Sequence, residues 1–110
     1  MDKPTVWVVH DRGGYDFSDA SQYGEVKTLF RGEFNTFDLH GSWSYVQKRF
    51  SQESSKDDWL IIVGSNIACA IAAIAYAQQW GHLPVLVYHA KRREYVQREL
   101  AGLKKGNLHV

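Results

Sequence analysis

A chain of 110 residues has the length of one domain with a sizeable core, and not of two. Hydrophobic content of 45% and charged content of 23% exclude a disordered chain, and one cysteine excludes an intramolecular disulfide. The longest apolar candidate, residues 59–77, is broken by Gly64, Ser65 and Asn66 and is no membrane span. With no signal-type segment near the N-terminus, a cytoplasmic protein with no membrane role is expected.

The net charge of +1 conceals an asymmetry. Residues 1–58 carry ten acids and seven bases, whereas residues 59–110 carry two acids and six bases, all from Lys91 onward. A basic segment over 91–105 could meet an acidic partner, though a solvated helix face explains it more simply. Nucleic acid is a disfavoured partner, since such binders carry a larger basic excess.

Taken in chain order, residues 5–10 form a β-branched run that stops at Asp11-Arg12-Gly13-Gly14, and predict a first strand. A short helix fits residues 17–23, with Asp16 able to cap it and Gly24 ending it. Residues 25–30 read as a second strand, and Lys27 suits it to an edge. Asp38 is the expected cap of a helix whose Leu39, Trp43, Val46 and Phe50 share one face. Gly41 weakens that helix by about 1 kcal/mol relative to Ala. After a polar loop over 51–58, Leu60-Ile-Ile-Val63 lacks alternation, as a central strand covered on both faces would.

The turn Gly64-Ser65-Asn66 opens a helix with Ile67, Ile71 and Ile74 on one stripe and alanines filling much of the rest. Such a helix is expected to be buried on more than one side. Gly81 ends it, and residues 83–89 give a fourth strand with Pro84 near its start. A last helix is expected over 92–101, with Val96, Leu100 and Leu103 inward; residues 107–110 could add a fifth strand or fray.

This succession predicts an α/β fold: a Rossmann-like or flavodoxin-like three-layer sandwich around a mainly parallel sheet of four, possibly five, strands in the order 2-1-3-4. Helices would lie on both faces, those after strands one and three on opposite sides. Ligands favour the crevice between two such strands. The thin cover given by the first helix also suggests a homodimer burying that face.

The carboxyl edge of such a sheet collects three loops: His10 to Gly14, then Gly64-Ser65-Asn66, then His89 with Lys91 and Arg92. Arg12, Gly13, Gly14, Gly64, Ser65, Asn66 and Lys91 are therefore the candidate binding residues for an anionic small molecule such as a nucleotide or sugar phosphate. The Gly64 turn lacks the later glycines of a dinucleotide fingerprint and the lysine of a P-loop, so it names no cofactor. Its simpler reading is a strand-to-helix turn with Ser65 or Asn66 as cap. A helix start alone gives an anion at most about 2 kcal/mol, so tight binding needs Arg12 or Lys91.

Catalytic candidates are weak: His10 and Asp11 as acid and base, and His89, which lies about 10 Å from His10 if two strand spacings separate them. Ser65 lacks the G-x-S-x-G setting of a nucleophile. The five histidines show no metal-ligand spacing. Cys69 suits helix packing. Tyr15, Phe17, Tyr23, Phe30, Phe34 and Phe37 flank the first crevice loop and strand two; they suit packing, with stacking on a base as the alternative.

The segment His10-Asp-Arg-Gly-Gly-Tyr-Asp-Phe-Ser-Asp-Ala20, followed by Tyr23-Gly-Glu25, resembles the opening of a group of small bacteriophage-encoded α/β proteins. Asp57-Asp58 before an apolar strand and Ala68-Cys-Ala-Ile71 are similar as well. The resemblance implies a phage accessory protein acting in the host cytoplasm, and carries over no catalytic residue. It also draws Asp16 and Asp19 into view at the crevice rim, where two acids could orient a ribose or a metal–nucleotide. Two function classes follow: a small-ligand protein, or a non-catalytic interaction module engaging a host protein or a second copy.

Overall fold

The computed structural model describes residues 3–103. Five strands form one sheet: β1 (Thr5–Asp11), β2 (Glu25–Arg31), β3 (Trp59–Ile61), β4 (Leu83–His89) and β5 (Glu94–Leu100). Their order is β2-β1-β3-β4-β5, parallel throughout except for the antiparallel β4–β5 pair. Two α-helices, α1 (Leu39–Glu53) and α2 (Asn66–Trp80), and one 3₁₀ helix (Ser18–Tyr23) complete it. The expected order of the first four strands is therefore observed, and β2 lies at the edge.

β1 is the axis of the fold. Trp7 and Val9 point into a core with Val46 and Phe50 of α1 and Ala68, Ala72 and Tyr76 of α2. Val6 and Val8 point the other way, to Ala20 of the 3₁₀ helix, Ile61, Leu86 and Tyr95. Both long helices thus share one face, where they pack on each other, and the 3₁₀ helix is the only helix on the opposite face among the described residues. The connections after β1 and β3 do fall on opposite faces, but one of the three layers is a single short helix rather than an α-helical layer.

The expected last helix is not there. Residues 94–100 form β5, which pairs with β4 from His89–Glu94 to Leu83–Leu100. The turn over 90–93 closes with Arg93 in the left-handed region, at φ 54°. The charge-rich segment offers a helix only the narrow apolar face of Val96, Leu100 and Leu103, whereas pairing satisfies the exposed edge of β4 over seven residues. Val96 is consequently half-buried and Leu100 is 62% exposed, while Tyr95 is the buried residue of the strand. The fifth strand comes from this segment; residues 107–110 lie outside the described residues.

Alanine governs the seat of α2. Ala68, Ala72, Ala75 and Ala77 are buried with Tyr76, whereas Ile67 and Ile74 of the expected apolar stripe face solvent. Small side chains let the helix axis approach the strands, which a row of isoleucines would hold off. In α1, Val46 and Phe50 are buried and Trp43 partly so, but Leu39 in the first turn is half exposed. In β3, Leu60 and Ile61 are buried, and Ile62 lies beyond the ladder and is exposed.

Candidate functional site at the carboxyl edge

Two caps set the geometry of the loops. Asp38 accepts the Gly41 N–H at 2.9 Å to start α1, and any side chain at position 41 would run into that carboxylate. Gly41, costly by propensity, is thus what makes room for the cap. Ser65 starts α2: its hydroxyl accepts the Ala68 N–H at 3.4 Å and its carbonyl accepts Cys69 N–H at 2.9 Å. Gly64 holds φ +96°, and a Cβ there would fall inside the His10 side chain. The turn therefore does serve as a strand-to-helix junction, built around His10.

His10 is only 2% exposed and uses both ring nitrogens. Nδ1 accepts the Ser65 N–H at 2.8 Å, so Nε2 carries the proton, which it donates to the Gly32 carbonyl. One neutral imidazole thus ties together the ends of β1, β2 and β3. Asp11 accepts the Gly13 N–H at 2.8 Å in a tight turn and faces Arg31 at 3.8 Å. The adjacent His10 and Asp11 each have separate partners, and no bond joins them.

Around His10 lies a cleft of about 490 Å³, lined by His10, Arg12, Gly32, Glu33, Phe34, Thr36 and Ser65. Arg12 lies close enough to the start of α2 for its charge to act on Cys69. The Cys69 thiol is nonetheless pushed up by burial, which outweighs the opposing pull of Arg12, and it donates to the Val63 carbonyl. The N–H groups of Asn66 and Ile67 have no partner within the helix, as the first turn requires.

Of the candidate residues, Arg12, Ser65 and His10 line this cleft, and Gly64 and Asn66 flank Ser65. Gly13 and Gly14 form the turn after β1 outside the lining. His89 and Lys91 are not brought there. His89 ends β4 opposite Glu94, with Nδ1 accepting the Arg92 N–H at 3.3 Å, and Lys91 is exposed on the hairpin turn. Both sit at the turn of the β4–β5 hairpin, and neither lines the cleft.

Glu33 and Thr36 carry no signal in the sequence, and Phe34 shows there only as an aromatic suited to packing or to stacking on a base. They follow the edge strand β2, and only the strand order brings their loop against β1. Phe34 packs edge-on to Phe30 at 4.9 Å and lies 6.0 Å from the His10 ring. Phe37, on the same loop, is 98% exposed. Among the described residues, no group of three His, Cys, Asp or Glu side chains could hold a metal ion, and no helix is long and apolar enough to cross a membrane.

A family model for phage Pam3 gp32-like proteins matches residues 4–101, which takes in every strand and helix described above. The chain belongs to that family. The family match covers the segment from His10 to Glu25, on which the likeness to phage proteins first rested, and the whole carboxyl edge. None of the curated proteins compared with the chain matches it.

Proposed function

We propose that this phage protein is an accessory protein of the host cytoplasm that binds a phosphorylated small molecule of nucleotide size at the carboxyl edge of its sheet. One observation carries the reading: Arg12 and the Ser65-capped start of α2 border the same cleft. The helix start contributes about 0.3–2 kcal/mol toward an anion, and a charge-assisted bond from Arg12 adds about 1.5–3 kcal/mol. Glu33 repels a bare anion, but suits the hydroxyls of a sugar attached to the phosphate. The Phe34 ring and the exposed Phe37 offer stacking surfaces for a base. Gly13 and Gly14 let the loop after β1 close on the ligand, and Asn66 presents its N–H at the helix start.

The reading is of binding without chemistry. His10 has no free nitrogen with which to take or give a proton, Asp11 holds its own turn, and His89 lies on the hairpin. Isothermal titration with a nucleoside diphosphate tests the proposal. Arg12→Ala should weaken binding at least tenfold with the fold intact, and equal affinity in both proteins would refute it.

A second reading, an interaction module that pairs with another copy, rests on the β4–β5 hairpin. Register places Val87 opposite Val96 and Leu83 opposite Leu100, with Leu83 turned to the helix-side core. Val87 and Leu100 are nonetheless 50% and 62% exposed, so an apolar strip is left open beside α2. Sedimentation showing a dimer that Val87→Lys abolishes would support it; a monomer throughout the micromolar range would not.

A further inference from the structure

The face carrying the 3₁₀ helix holds a cavity of about 560 Å³, separate from the cleft above. Its floor is Ile61, Val63 and Leu86, and its sides are Tyr15, Phe17, Tyr88 and Tyr95. Tyr88 meets Tyr95 edge-on at 5.3 Å, and Tyr15 lies 6.3 Å from Phe17. Tyr95 is buried, and its main-chain carbonyl accepts the Tyr23 hydroxyl at 3.0 Å, tying β5 to the 3₁₀ helix. Tyr88 and Tyr15, by contrast, stand half to mostly exposed at the mouth.

Two carboxylates complete the lining, Asp16 and Asp19, and no lysine, arginine or histidine lines it. Among the described residues neither acid has a salt-bridge partner. The Ser18 N–H, bonded at 2.9 Å, holds the Asp16 carboxyl below the usual carboxylate range, so it is ionised near neutrality. Both acids lie near enough to Tyr95 for their charge to reinforce the effect of burial, which pushes its phenol up.

Aromatic rings present negative faces to a cation, and the acids add full negative charge at the same mouth. The volume lies within the range of small-molecule sites, whose walls are apolar and whose few polar groups fix orientation. An anion meets repulsion here, and a neutral hydrocarbon leaves the two carboxylates unused. We propose that this cavity binds a small organic cation, an ammonium or amidinium group on an apolar or aromatic body. The cation lies between the Tyr15 and Tyr88 rings beside Asp16 and Asp19, and the body rests on Ile61, Val63 and Leu86. The site is independent of the carboxyl-edge reading, which concerns an anion and other residues.

Titration of the full chain with phenyltrimethylammonium, followed by amide chemical shifts, tests this site. The expected shifts fall on residues 15–19, 61–63, 86–88 and 95, with benzoate causing none of them. Asp16→Asn combined with Asp19→Asn should weaken the cation at least fivefold, and Tyr88→Leu should weaken it by a similar factor. These side chains are exposed or at the rim, so unchanged spectra elsewhere report an intact fold. Binding of benzoate with equal affinity, unchanged cation affinity in the double variant, or shifts confined to other residues would each overturn the proposal.

Discussion

The two edges of the sheet are built on the same device, a buried polar side chain that gathers neighbouring segments, yet they differ in what is left over. At the amino edge, Asp58 is 2% exposed and its carboxylate accepts four bonds, from Thr5 N–H, Trp7 Nε1, Ser55 N–H and the Ser55 hydroxyl, all at 2.8–2.9 Å. The Tyr76 hydroxyl closes the same corner on the Ser55 carbonyl, and burial, then the Asp58 charge, pushes its phenol up. At the carboxyl edge, His10 likewise joins three strand ends, but it borders a cleft that Arg12 and Ser65 also line. One edge is filled by the bonds to Asp58, and the other is pinned by His10 and left open beside Arg12. Buried polarity by itself therefore marks no site, as the fully bonded Asp58 shows.

This contrast can be broken at graded cost. Asp58→Ala removes the common acceptor of buried donors on three residues and should cost about 3 kcal/mol or more, as a fall in the urea midpoint with binding per folded molecule unchanged. Gly64→Ala places a Cβ against His10 in a left-handed turn and should cost about 2–3 kcal/mol. Unlike the Asp58 change, it should also disturb the cleft, which ligand titration of the folded fraction would detect. His10→Ala leaves the Ser65 N–H and Gly32 carbonyl without their partner, for a loss of about 1–3 kcal/mol; a bound ligand should restore part of it as a rise in Tm.

The smallest effect belongs to the outside of α1. Arg49 lies 5.0 Å over the Trp7 ring, donates to the Thr28 carbonyl and pairs with Glu53 at 2.9 Å. The hydrogen bond from Arg49 holds the Glu53 carboxyl below the usual range, opposed by partial burial and aided by Lys27. A depressed carboxylate stabilises the fold above its unfolded pKa, and that contribution is lost as pH falls through the lower folded value. Glu53→Gln should therefore flatten the acid limb of the stability profile, below about pH 4.5, by no more than about 0.5 kcal/mol, since the pair is largely solvated.

The parts of the fold that the sequence discloses are those specified locally. β1, the Asp38 and Ser65 caps, the αL stop at Gly81 and the order of the first four strands all follow from short-range patterns and handedness. β5 does not, because Val96, Leu100 and Leu103 also fit a helical face, and the choice is made by the unpaired edge of β4. Asp58 is visible only as an acid before an apolar strand; its four donors come from Thr5, Trp7 and Ser55 through tertiary packing. The site was half legible for the same reason. Arg12 and Ser65 follow strands whose neighbours can be deduced, whereas Glu33, Phe34 and Thr36 lie on a loop with no periodic signal.

Arg12 offers the most direct test of the claim that the carboxyl edge is a binding edge. Arg12→Ala should leave the urea midpoint within about 0.5 kcal/mol of the parent, as a surface change does. Measured by titration calorimetry, it should also reduce nucleoside diphosphate affinity at least tenfold. An unchanged affinity, or a loss of affinity that merely tracks a loss of fold, would contradict the account.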